Sequence, residues 1–237
     1  MRDISVTAGG VGSAGAESGL VGVPVPKLRG LLHAFVFPVA VAAGAALVAL
    51  APTWPARLAA AVYGMAAALL FGVSAAYHRS PLGSRRKAWL GRLDHVNILL
   101  LIAGTYTPLA ALALRGWTRL SVLAVIWAGA AGGIVAQLIW RPGWRPAPRW
   151  LSTSLFIALG WVPLSVLPQI LRSAGALAFA LILAGGIMYS FGAVVYARKR
   201  PDPSPRWFGF HEVFHAATIL AYLSQYAAVS LIVYRVA

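Results

Sequence analysis

Residues 211–233 read HEVFHAATILAYLSQYAAVSLIV, and this stretch carries a signal for the fold and a signal for chemistry. After a polar opening it is an apolar run of about 20 residues, the length at which a helix crosses a hydrocarbon core ~30 Å thick. The opening, His211-Glu212-Val213-Phe214-His215, sets two histidines four residues apart. On a helix they stack on one face about one turn, or ~6 Å, apart, so both imidazoles can reach one metal ion. Ionisable groups at the mouth of a membrane helix are costly and usually paired, so these side chains call for partners elsewhere in the chain.

Working outward, comparable apolar runs recur at 31–51, 58–77, 96–114, 120–140, 151–170 and 174–197, which with 212–233 makes seven. The chain of 237 residues is 60% hydrophobic and 11% charged, far from the soluble averages of roughly 45–50% and ~25%. Closed barrels also span membranes, but they need short alternating strands, and these runs are unbroken. The expected fold is therefore an all-α membrane protein, a bundle of seven transmembrane helices over residues 27–237. Residues 1–26, rich in Gly, Ala, Ser and Val, lack the basic and compact apolar regions of a secretory signal and are expected to form a disordered tail. The absence of cysteine excludes disulfides and thiolate ligands, so any metal is held by nitrogen and oxygen.

A net charge of +15 suggests nucleic acid until the placement of the charges is considered. Of the 20 Lys and Arg, 15 fall before the first span or in the loops after spans two, four and six; the other side holds Arg57, Arg115, Arg119, Arg172 and Arg235. That asymmetry is the positive-inside signal and places the N-terminus in the cytoplasm and the C-terminus outside. The basic face suits anionic lipid head groups, and no nucleic-acid partner is expected.

This topology gathers several polar residues at one membrane level. Ser74 and His78, four apart, close the second span on one helical face. Asp94, His95 and Asn97 open the third; an Asp at a helix start has a structural excuse as an N-cap, and His95 points about 100° away from it. His33, at the start of the first span, reads as an interface residue. Along the last span His211, His215, Thr218, Tyr222 and Gln225 follow steps of four, three, four and three, a polar stripe that has to face the interior and implies a cavity there. Pro38 and Pro108 are expected to bend their helices, and Gly104 with Thr105 to permit close packing. Spans five and six read as scaffold, and Trp140-Arg141-Pro142-Gly143-Trp144-Arg145-Pro146 as an interfacial loop. Three imidazoles, His78, His211 and His215, beside the Asp94 carboxylate suit Zn²⁺ with an open fourth position, although other divalent metals accept the same donors. Asp94 would orient or deprotonate a water, and Ser74 would hydrogen-bond around the site.

Four motifs together, Ser74-x3-His78, Arg92-Leu93-Asp94-His95, Ala103-Gly104-Thr105-Tyr106-Thr107-Pro108 and Gly209-Phe210-His211-Glu212-Val213-Phe214-His215, carry a resemblance. From about Lys27 onward the chain resembles the hemolysin III proteins, the bacterial branch of the progestin and adiponectin receptor superfamily. The resemblance implies a seven-helix bundle with a cytoplasmic N-terminus. It also implies a zinc near the cytoplasmic face held by His78, His211 and His215, with Asp94 interacting through water. Receptor members are linked to ceramidase-like amide hydrolysis, and bacterial members to hemolysis and membrane-lipid homeostasis. Receptor relatives commonly carry Gln where Glu212 stands, against the zincin reading of His-Glu-x-x-His in which Glu is the general base.

The expected protein is a multi-pass component of the bacterial inner membrane, a zinc-dependent hydrolase of a lipid amide or ester with Asp94 and Ser74 in catalytic roles. Its expected partners are membrane lipids; the sequence leaves the oligomeric state open. The rival is a non-enzymatic sensor or homeostasis factor with structural zinc. A cytolytic protein is a third reading, for which the sequence offers no amphipathic lumen and no soluble secreted state.

Overall fold

The computed structural model describes residues 25–139 and 149–235 and is built of helices: α1 (Leu31–Leu50), α2 (Trp54–Arg79), α3 (Ser84–Ala113), α4 (Gly116–Ile139), α5 (Arg149–Gly160), α6 (Leu167–Arg198, two helical pieces that meet at Gly175) and α7 (Phe210–Tyr234). The expected tail up to residue 24 and the Trp140–Pro146 loop lie outside the described residues. Among these residues six segments are long and apolar enough to cross a membrane, one of them the 50 residues Arg149–Arg198. The all-α expectation holds; the only pairing of strand type described is an isolated bridge between Ser204 and Phe208.

The 50-residue segment is not one rod. A straight helix of that length would reach about 75 Å, more than twice the hydrocarbon core. Instead the Trp161 indole N–H donates to Ser190 Oγ at 2.9 Å, although the two residues are 29 apart in sequence. The chain doubles back at Gly175, whose φ of 86° and ψ of 169° belong to glycine. Arg235 seals the turn by donating to the Ala174 carbonyl at 2.5 Å.

Before the turn, the expected helix over 151–170 is broken. Residues Val162–Val166 form a 3₁₀ segment, with Pro163 lacking the N–H that an α-helical bond would use. Leu164 N–H accordingly bonds to Trp161 O at 3.0 Å, which leaves the Gly160 carbonyl unclaimed by the helix. The Tyr106 hydroxyl of α3 donates to it. A backbone acceptor freed inside the bundle is thus satisfied by a side chain, as an apolar solvent requires.

α3 begins twelve residues before the apolar run that announces it. Its first turns, with Arg85, Arg86 and Lys87, are exposed and carry no hydropathy signal. One expectation is corrected by this: Asp94 lies well inside α3 rather than at its start. Pro38 and Pro108 both sit inside continuous helices. Beside Pro108, Thr105 and Thr107 hydroxyls donate to the Leu101 and Ala103 carbonyls at 2.7 and 2.8 Å. Gly104 packs where a Cβ would come within 2.7 Å of Ala66 on α2, the close contact expected of it.

Replacing Gly175 by alanine forces a side chain into this backbone region and onto Arg235 Nη1, 2.9 Å from the new Cβ. The expected cost is roughly 1–3 kcal/mol. It should appear as a lowered thermal midpoint in detergent; an unchanged midpoint would contradict the turn described.

Candidate metal centre

The N-terminal end of α7 is held by two carboxylates. Helix starts leave backbone N–H groups without intrahelical partners, and here Glu212 Oε2 accepts from Gly209 N–H at 2.9 Å while Asp202 Oδ1 accepts from Phe210 N–H at 2.8 Å. The other Glu212 oxygen accepts from Arg29 Nε at 2.5 Å, and Glu212 is 1% exposed. The segment before α1 is pinned to the loop before α7 through Lys27 N–H to Arg206 O, Leu28 N–H to Trp207 O, and the Lys27 ammonium over the Trp207 ring. Gly30, with φ of 73°, then lets α1 start against α2, where a Cβ would stand 2.4 Å from His78 Cβ.

This scaffold brings His78, at the end of α2, to His211 and His215 on the first turns of α7. His78 Nε2 and His211 Nε2 stand 3.1 Å apart. One ligand nitrogen from each of the three histidines falls within 4.8 Å of the others. Two nitrogens bound at 2.0–2.1 Å to a tetrahedral ion stand about 3.3 Å apart, so the donor set fits a zinc-sized metal with small adjustments. His211 and His215 are buried, and His78 is only partly exposed.

Asp94 Oδ2 lies 3.8 Å from His78 Nε2, beyond direct hydrogen-bond reach and within ion-pair distance. Ser74, one turn before His78 on α2, is buried and lines the cavity described below. Asn97, like Asp94, faces α2, where it donates to the Leu69 carbonyl at 3.2 Å. His95 lines the same cavity as Asp94, closer to the site than its 100° offset suggests. Its nitrogens are engaged: Nδ1–H donates to Gly91 O at 2.8 Å, so the neutral ring accepts from Tyr196 O–H at Nε2, 3.3 Å away.

His33 departs from the interface residue expected. It is 3% exposed, and its ring stacks on that of His215 with centroids 3.8 Å apart and planes 9° from parallel. The signal available for it was topological: all five histidines of the chain fall near the ends of apolar runs that the charge asymmetry places on one side.

Below the histidines runs a cavity of about 120 Å³ with mainly apolar walls. The polar stripe of α7 is buried throughout, and His211, His215, Thr218 and Gln225 line the cavity; Tyr222 packs against Tyr63 and Phe71 instead. On α7 the lining extends from His211 to Gln225, about 21 Å of helix rise. α6 is more than scaffold here, since Tyr189, Ser190 and Tyr196 form part of the wall.

A protein-family profile described as "Haemolysin-III related" matches residues 22–226, most of the chain. The chain belongs to the hemolysin III family. It is 36% identical over 135 residues to "Hemolysin-3" of Bacillus cereus, a match covering 57% of this chain and 59% of that protein. It is 32% identical over 150 residues to "Hemolysin-3 homolog" of Bacillus subtilis (strain 168), covering 63% of this chain and 68% of that one. The chain thus spans less than two thirds of the Bacillus cereus relative. Hemolysin III membership and the six apolar segments make this a multi-pass bacterial membrane protein.

Glu212 is occupied by Arg29 and by the start of α7, a structural task distinct from the general base of a zincin. Glu212→Gln keeps an acceptor for the helix start but leaves Arg29 uncompensated, at an expected cost on the order of 3 kcal/mol. Thermal unfolding should show that loss. A variant as stable as wild type would contradict this structural task.

Proposed function

We propose that this hemolysin III protein is a zinc-dependent hydrolase of a lipid amide or ester, with seven membrane crossings, a cytoplasmic N-terminus and its metal near the cytoplasmic face. The observation that carries the reading is the convergence of the His78, His211 and His215 nitrogens within 4.8 Å at the head of an apolar cavity, beside the Asp94 carboxylate. The reversal at Gly175 supports counting the 149–198 segment as two crossings. With 15 of 20 basic residues falling on the N-terminal side, the charge distribution supports the orientation.

His78, His211 and His215 would hold the ion. When bound, zinc supplies Lewis-acid polarisation of a carbonyl and makes water a better nucleophile near neutral pH. The chain's own residues supply the remainder. Asp94 takes the proton of the attacking water at Oδ2 and returns it to the leaving amine or alcohol. Ser74, buried on the cavity wall, offers a hydroxyl to the polar head of the substrate. The apolar cavity below holds an acyl chain and keeps bulk water from the scissile bond.

A second reading, a non-enzymatic homeostasis factor with structural zinc, draws on the Nε2–Nε2 contact that already links α2 to α7. The two differ in turnover. Detergent-purified protein is expected to carry about one zinc per chain and to hydrolyse a lipid amide, with both properties lost in His78→Ala and His211→Ala. Asp94→Asn should keep the zinc and lose turnover by roughly 10²–10⁴-fold. Zinc without turnover in wild type, together with variants that unfold, would favour the structural reading; no metal in wild type would overturn both.

A further inference from the structure

Metal-binding histidines are usually oriented by a hydrogen bond from the ring nitrogen that does not face the metal, given to a carboxylate, a carbonyl or water. His215 has no such support: its ring makes no hydrogen bond through either nitrogen, and Nδ1 is buried. What lies against the ring is His33, face to face at 3.8 Å and 9°. His33 also meets Phe71 of α2 edge-on, with centroids 5.0 Å apart and planes at 84°. The His215 ring is therefore located by a stack running from α7 through α1 to α2.

We propose that His33 is a positioning residue of the metal centre, its ring face fixing the plane of the His215 imidazole so that the nitrogen on the His78 and His211 side is held ready for the ion. This inference rests on the metal-binding half of the proposed function and is independent of whether hydrolysis occurs.

Geometry separates this role from that of a fourth ligand. An imidazole binds a metal close to its own ring plane, so two rings sharing an ion need planes that meet near it. Planes inclined by 9° and separated by up to 3.8 Å meet roughly 24 Å away (3.8 Å divided by sin 9°), whereas a zinc–nitrogen bond is about 2 Å long. His33 and His215 cannot share one ion in this arrangement. His33 is buried, and it is the face of its ring that lies against His215.

The test compares His33→Phe, which keeps a flat ring, with His33→Leu, which keeps bulk without a planar face, and with His33→Ala. Purified wild-type and variant proteins are titrated with Zn²⁺ by calorimetry and with Co²⁺ by visible absorption, whose band shape reports ligand geometry. Circular dichroism of the apo forms verifies folding. The expected result is zinc affinity weakened roughly 10- to 100-fold in His33→Leu and His33→Ala, with an altered Co²⁺ band. His33→Phe should keep the wild-type band and an affinity within about threefold of wild type, well short of the loss expected of the other two variants. Should His33→Ala not fold, the Leu and Phe variants still decide.

Equal affinity and spectrum in wild type and His33→Leu would overturn the proposal. So would loss of binding in His33→Phe matching that of His78→Ala, because His33 would then act through a nitrogen. A wild-type protein that binds neither metal would overturn this inference together with the metal-binding reading, whereas metal binding without lipid turnover would leave it standing.

Discussion

A polar group carried into hydrocarbon has to find its partner inside the protein, because the surrounding solvent offers none. That constraint shapes this bundle at several depths. Where Pro163 forces a 3₁₀ segment, the freed Gly160 carbonyl meets the Tyr106 hydroxyl. Deeper along α7, Gln225 Nε2 donates to the Ile182 carbonyl of α6 at 3.0 Å, and Ser224 donates to Leu181 O. At the end where α7 begins, the same demand assembles a denser set: Glu212 with Arg29 and Gly209, His78 with His211 and Asp94, and His33 on His215.

These two classes of polar residue do different work. Gln225 and Asn97 each donate to a backbone carbonyl of a neighbouring helix and so contribute to helix association, while Thr105 donates within its own helix. The imidazole cluster is different, because its nitrogens point at one another. Neutral imidazoles can pair once, as His78 and His211 do, but a third ring with a buried, unpartnered nitrogen leaves a demand that hydrogen bonding within the cluster does not meet. The three rings could hold a metal ion there with the donors already in place.

Much of this was legible in the sequence for physical reasons. Apolar runs of membrane length located the helix interiors, and the split of Lys and Arg brought His78, Asp94, His211 and His215 to one level without reference to any site. The steps of four and three along α7 gave its buried stripe, with Tyr222 inside but away from the cavity. What hydropathy could not convey was anything set by exposed or irregular backbone: the basic first turns of α3, hence the interior position of Asp94, and the break before Pro163. His33 was read by its place at a helix end, where a lone histidine ordinarily meets the interface. Its burial depends on a ring-to-ring contact between α1 and α7, which no local pattern encodes. Glu212 shows the converse: its motif suggested chemistry, and its surroundings give it the start of a helix and an arginine.

The most direct test of the account is X-ray absorption at the zinc edge on the purified wild-type protein. It predicts a first shell of four nitrogen or oxygen atoms at about 2.0–2.1 Å, with the outer-shell scattering of three imidazoles. A shell with four imidazoles, one without imidazole, or a protein that takes up no zinc would contradict it.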